Sequence, residues 1–118
     1  MSTLTSQIDP ATPGFRHRAD AYDALLHDLD KRLEWARGGG GPRMVRRHRA
    51  RGKILARDRI DLLIDPGTAF LELSPLAAWG IYDGELPSAG IVTGIGTVRG
   101  TACMIIANDA TVKGGSFY

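Results

Sequence analysis

At 118 residues, with 15 Lys and Arg against 13 Asp and Glu and 43% hydrophobic residues, the chain is the size of one small globular domain with a formal charge of only +2. No apolar run approaches the ~18 residues that a membrane helix needs, and MSTLTSQIDPATPG at the start has neither the basic nor the apolar region of a secretory signal. These features exclude a membrane-spanning helix and suggest a protein of the cytoplasm, or of the mitochondrial matrix in a eukaryote, although no transit peptide is evident. Cys103 is the one cysteine, so it makes no internal disulfide and reads as a small hydrophobe. His17, His27 and His48 are far apart and suggest no metal site.

Residues 1–14 are polar, contain Pro10 and Pro13, and read as a mobile arm ahead of a domain at 15–118. From there Phe15, Ala19, Tyr22, Leu26, Leu29, Leu33 and Ala36 recur at alternating steps of four and three. That spacing predicts a helix about 33 Å long with one apolar stripe. The favoured role of the stripe is packing against the domain or another subunit, although a cofactor-facing surface or a coiled-coil seam uses the same spacing. On the opposite face Asp28, Lys31, Arg32 and Glu34 mix signs, as a solvated surface does. The glycines at 38–41 end the helix.

The segment from Arg43 to Arg59 holds eight of the 15 basic residues and only Asp58 against them, so it carries +7 and the rest of the chain −5. Basicity is therefore local. Three readings compete for Arg46 to Lys53, RRHRARGK. One is a solvated or intersubunit helix whose arginines pair with carboxylates. Another is contact with the phosphates of a small anionic ligand, for which Arg and Lys are suitable donors. The third, ranked last because no aromatic residue is interleaved to stack on bases, is a nucleic-acid contact.

Ile54 to Ile64 reads as a short amphipathic helix, with Leu55, Ile60, Leu63 and Ile64 buried and Arg57, Asp58 and Asp61 facing water. Asp65-Pro66-Gly67 stops it. Phe70 to Leu73 alternates like an edge strand, and Pro75, Gly80, Gly84 and Pro87 mark a loop in which Trp79 and Tyr82 fit anchoring better than ligand stacking. Ile91 to Val98 forms a strand whose Gly94 and Gly96 leave room for a neighbour. Arg99-Gly100 reverses the chain, and Thr101 to Asn108 forms a second strand. Its two faces are both apolar, so cover is expected on each side, one of them from the long helix.

Beyond it, Asn108-Asp109-Ala110-Thr111 leaves the strand and Lys113-Gly114-Gly115-Ser116 turns toward a new element at Phe117 and Tyr118. The paired glycines and Ser116 are read equally as an anion-facing corner or as an ordinary turn before a helix. Asp109 and Lys113 make only a weak acid–base signal. Gly94, Gly96 and Gly100 imitate a dinucleotide loop, but the last glycine is one place late and the run lies in a strand-turn-strand pattern.

AGIVTGIGTVRGTACMIIANDATVKGGSFY, residues 89–118, preceded by RARGKILARDRIDLLIDPGTAFLELSPLAAWGIYDGELP, resembles the amino-terminal part of the carboxyltransferase (β) subunit of biotin-dependent acyl-CoA carboxylases. NDATVKGG, Asn108 to Gly115, is its most discriminating piece, and the methylcrotonyl-CoA type is the most similar. The resemblance implies an α/β, crotonase-like spiral of β-β-α units, present here as an incomplete amino-terminal part: long helix, basic helical segment, short helix and β-hairpin. It further implies carboxylate transfer from biotin on a partner α subunit to an acyl-CoA, with 3-methylcrotonyl-CoA favoured over propionyl-CoA and geranyl-CoA. In such a site backbone N–H groups stabilise enolates, so no side-chain nucleophile is needed. The expected contacts to coenzyme A are Arg51, Lys53, Lys113, Gly114 and Gly115. No catalytic or metal-binding residue is expected on this stretch, and alone it should be inactive. In the complete protein the β subunits should form a homo-oligomer. A basic adaptor that binds RNA is the alternative from another class.

Overall fold

The computed structural model describes residues 3–84 and 86–116; Phe117 and Tyr118, where a further element is expected, lie outside them. Helix α1 spans Pro13–Arg37, α2 Gly41–Ala50 and α3 Ala56–Leu63, and the strands are β1 Leu71–Leu73, β2 Ile91–Val98 and β3 Thr101–Asn108. The chain divides into two compact units, one ending at Lys31 and the other starting at Arg32. No helix is long and apolar enough to cross a membrane among the described residues.

In the first unit, the polar arm ends in a turn in which the Ala11 N–H donates to Asp9 Oδ1 at 2.9 Å. Thr12 then caps α1: its hydroxyl oxygen accepts from the Phe15 N–H at 3.3 Å, and Pro13 occupies the first helical position, where a missing N–H is harmless. The helix thus starts two residues earlier than the apolar spacing predicts. Along its stripe Phe15 and Ala19 are half-buried, whereas Tyr22, Leu26 and Leu29 are exposed.

In the second unit the three strands form an antiparallel sheet in the order β1-β2-β3. The β2–β3 hairpin pairs Ile91 with Asn108 through Val98 with Thr101, turning at Arg99 and Gly100, whose φ of 49° and 75° suit the right-handed twist of a two-residue hairpin. Asp65 fixes that turn. Its two carboxylate oxygens accept from the Arg99 and Gly100 N–H groups, each at 2.7 Å. Asp65 thus both follows the end of α3 and clasps the hairpin.

One face of the sheet packs on α3: Ala56 and Ile60 meet Val92 and Ile105, with Ile64, Phe70, Val98, Cys103 and Ala107 around them. The expected cover was the long helix, but α3 supplies it. Gly94 and Gly96 lie on this face because the Phe70 ring occupies the space above them; a Cβ on Gly94 would overlap Phe70 Cζ, and one on Gly96 would lie 2.7 Å from Ile64 Cγ2. Among the described residues the other face is uncovered, with Leu71, Ile95, Met104 and Ile106 exposed, so the two-sided cover expected of β3 is present there on one side only.

Two expectations for α3 also change. Leu63 is exposed rather than buried. Arg57 turns inward instead of facing water and grips Glu72 of β1 through two parallel bonds, Nη1 to Oε2 at 2.6 Å and Nη2 to Oε1 at 2.8 Å. This fork ties the helix to the edge strand and supplies the buried-side carboxylate with a planar partner.

Candidate functional site

The basic segment becomes α2 and its exit. A strict i, i+3, i+4, i+7 spacing puts Met44, Arg47, His48 and Arg51 on one helix face, and all four line the same concavity. The helix stops because Gly52 adopts φ 69° and its N–H returns to the Arg49 carbonyl at 2.9 Å. His48 Nε2 lies 3.1 Å from the Ile54 carbonyl, fastening the exit so that Lys53 follows Arg51 into the same concavity.

Facing α2 is the loop after β3. The Asp109 N–H donates to the Gly90 carbonyl at 2.9 Å, and Asp109 Oδ1 accepts from the N–H and the hydroxyl of Thr111 at 2.9 and 2.6 Å. Asn108 Nδ2 donates to the Gly115 carbonyl at 2.8 Å, and the Gly115 N–H to the Val112 carbonyl at 2.8 Å. Lys113, Gly114 and Gly115 all have positive φ within this closed loop. Side-chain bonds thus hold the turn in a left-handed conformation that two of its three residues, being glycine, adopt freely.

The glycines after α1 bring loop and helix together. The Gly40 N–H donates to the Thr111 hydroxyl at 2.9 Å, and Thr111 is 3% exposed. A Cβ on Gly40 would overlap the Thr111 carbonyl, and one on Gly39 would sit 2.6 Å from Asp109 Oδ2. Trp35, in the last turns of α1, meets Trp79 edge-on at 4.9 Å between ring centres, and the Arg32 guanidinium lies 4.9 Å from the Trp79 ring centre. Trp79 therefore serves as the loop anchor expected of it.

Of the five candidate coenzyme contacts, Arg51, Lys53 and Gly114 line one concavity of about 240 Å³. Lys113 lines a neighbouring one of about 600 Å³ together with the four glycines at 38–41. Gly115 lines neither; its backbone closes the turn. Asp109 is engaged with Thr111, and the Ser116 hydroxyl donates to the Lys113 carbonyl at 3.1 Å; a helix after Ser116 would lie outside the described residues. Sequence reading did not single out Met44, Arg47 or His48, the last two of which it took only as part of the run from Arg46 to Lys53, and it passed over the Gly39-Gly40 contact and Thr111. The helical spacing within RMVRRHRAR is the signal that could have found the first three.

Arg47, Arg51 and Lys53 all line the smaller concavity, and guanidinium and ammonium groups are suitable donors to a phosphate-bearing anion. Among the described residues no group of three His, Cys, Asp or Glu side chains could hold a metal ion.

The model of the carboxyl transferase domain matches residues 47–118. The biotin-dependent 3-methylcrotonyl-coenzyme A carboxylase β1 subunit of Mycobacterium tuberculosis is 55% identical over 115 residues, covering 98% of this chain and 21% of its own length. Among solved structures, the transcarboxylase 12S core with methylmalonyl-coenzyme A and methylmalonic acid bound aligns with a TM-score of 0.70 at 32% identity, over 77% of this chain and 18% of that one. The β subunit of Pseudomonas aeruginosa geranyl-CoA carboxylase aligns at 0.63 and 27% identity, over 98% and 22%. The chain thus spans about a fifth of the length of the proteins it matches.

Proposed function

Because the chain belongs to the carboxyl transferase domain family, we propose that it forms part of the carboxyltransferase component of a biotin-dependent acyl-CoA carboxylase. The 55% identity to the mycobacterial β1 subunit carries this reading and favours 3-methylcrotonyl-CoA as the acceptor. Geranyl-CoA is the runner-up, supported by a likeness that also extends over nearly the whole chain. Propionyl-CoA comes after it. On this reading the sheet with α3 is the first layer of a crotonase-like β-β-α spiral, a biotin-carrying α subunit is the partner, and several β subunits assemble together.

The residues at work here are those that hold the coenzyme. Arg51 and Lys53, facing Gly114 across the smaller concavity, bind its phosphates, and Arg47 adds a third cation. Biotin, when delivered by its carrier, supplies the carboxylate. Transfer to an enolate carbon is helped by aligned backbone N–H groups and requires no nucleophilic side chain. Nucleic-acid binding draws no support from α2: Trp35 and Trp79 are engaged with each other rather than interleaved among its arginines.

A chimaera tests the reading. Residues 1–118 replace the matching segment of the mycobacterial β1 subunit, and turnover is measured with its biotin-carrying partner. The expected product is carboxylated 3-methylcrotonyl-CoA, formed faster than from propionyl-CoA. Arg51→Ala and Lys53→Ala should each raise KM for the acyl-CoA about tenfold with kcat little changed, as loss of uniform binding predicts. An assembled chimaera without turnover would remove the proposed activity; unaltered KM in both variants would remove the phosphate role.

A further inference from the structure

Arg51 and Lys53 reach the smaller concavity from a connector: α2 ends at Ala50 and α3 begins at Ala56, so residues 51–55 lie outside both helices. One residue of α2 holds that connector at three points. The His48 carbonyl accepts from the Arg51 N–H at 3.2 Å and from the Lys53 N–H at 3.4 Å, and His48 Nε2 lies 3.1 Å from the Ile54 carbonyl. Because a carbonyl only accepts, Nε2 carries the ring proton and donates it. We propose that His48 is a positioning residue, whose imidazole bond to Ile54 holds Lys53 at the wall of the concavity where a phosphate rests. This rests on the coenzyme reading above.

The three bonds divide between backbone and side chain. The two that end on the His48 carbonyl survive any substitution there, so the turn through Arg51 and Gly52 persists without the imidazole. Only the bond to Ile54 depends on it, and that bond lies on the far side of Lys53, which is thus tied to His48 both by its own N–H and by the next carbonyl. Gly52, just ahead, has φ 69° and nothing within 4 Å of an added Cβ, so neither sterics nor packing keeps the chain beyond it in place. The other side-chain link from α2 to α3, Arg49 Nη2 to Asp58 Oδ2 at 3.3 Å, joins two groups that are 61% and 47% exposed, and such a pair holds weakly. Lysine loses much side-chain freedom when it grips an anion, so a backbone already fixed leaves less to be ordered on binding. Arg47 precedes His48 within α2, and its place is set by the helix rather than by the tie to Ile54.

Calorimetry of the 118-residue chain with adenosine 3′,5′-bisphosphate measures the coupling. His48→Ala should weaken binding about tenfold, as Lys53→Ala does, because each removes or misplaces one charge-assisted contact. The two substitutions together should lose no more than either alone, whereas the losses from His48→Ala and Arg47→Ala should multiply. A general loosening of the fold would multiply with both. His48→Gln, whose amide nitrogen can stand where Nε2 does, should restore affinity, and the shorter His48→Asn should not. In the chimaera the same ranking should appear in KM for the acyl-CoA with kcat little changed. Losses from His48→Ala and Lys53→Ala that multiply, or equal affinities for the Gln and Asn variants, overturn the positioning role while the phosphate role of Lys53 stands. If His48→Ala does not fold, the comparison of Gln with Asn decides. A parent chain that does not bind the bisphosphate overturns both the positioning role and the coenzyme reading beneath it.

Discussion

Gly40 has φ −71° and ψ 13°, torsions open to most residues, so backbone freedom does not explain why it is glycine. The neighbour does. A methyl group there would overlap the Thr111 carbonyl, a backbone atom with no flexible end that could yield, and the N–H···hydroxyl bond between the two residues would be lost with the shift. Gly41 is the reverse case: its φ is 82°, yet nothing lies within 4 Å of an added Cβ. Gly41→Ala should therefore cost about 1–2 kcal/mol, the penalty of a left-handed non-glycine residue. Gly40→Ala should cost more, on the order of 3 kcal/mol, because packed backbone must move and a buried bond is broken. Urea denaturation of both variants measures the order, and equal losses would show that the close approach to Thr111 is not what excludes a side chain. None of this was legible in a run of four glycines, which reads simply as a helix stop. Arg57 hid in the same way: on a short amphipathic helix it counts as a water-facing charge, and only the position of Glu72 on the covered face of β1 shows why it turns inward.

At the scale of elements, β2, β3 and their turn follow directly from residue pattern, since alternation and Arg99-Gly100 agree on one register. The clasp on that turn does not. Asp65 is 34 residues from Arg99 in sequence and looked like part of a helix-stopping Asp-Pro-Gly, yet both its oxygens accept from the hairpin N–H groups. Those bonds link α3 to the hairpin it covers, so the element that fills the core is also the one that fixes the turn. Asp65→Ala should destabilise the second unit by about 1.5–3 kcal/mol, the range for a hydrogen bond to a charged group. Amide exchange at Arg99 and Gly100 should speed up before exchange in the middle of β2 does. Unaltered protection at those two amides would mean that the turn holds itself. The candidate site was legible to a similar depth. Arg51, Lys53 and Gly114, singled out as candidates, line one concavity, whereas Thr111 and Met44 were not singled out, because their contacts arise only when α2 and the loop after β3 face each other.

On the scale of the whole second unit, the sheet has one dry face and one wet face of nearly the same composition. Register places Leu71 beside Ile95 and Ile95 beside Met104, with Ile106 next along β3, and these four are 61%, 38%, 58% and 69% exposed. Burying a side chain of this size is worth about 1.5–3 kcal/mol, a large share of the roughly 5–15 kcal/mol that keeps a domain folded. Such a patch, on a sheet whose strand β3 pairs on only one edge among the described residues, favours association with any apolar surface offered. The 118-residue chain in isolation should therefore bind a hydrophobic dye and self-associate as its concentration rises. Replacing Met104 and Ile106 together by Lys should suppress both effects while leaving Ile105, on the opposite face of β3, in the core with Ile60 and Val92. The far-ultraviolet circular dichroism of the double variant should remain that of the parent, and sedimentation should shift toward monomer. A parent chain that sediments as a monomer at every concentration, ignores the dye and melts in one sharp transition would show that the wet face is tolerated as it stands.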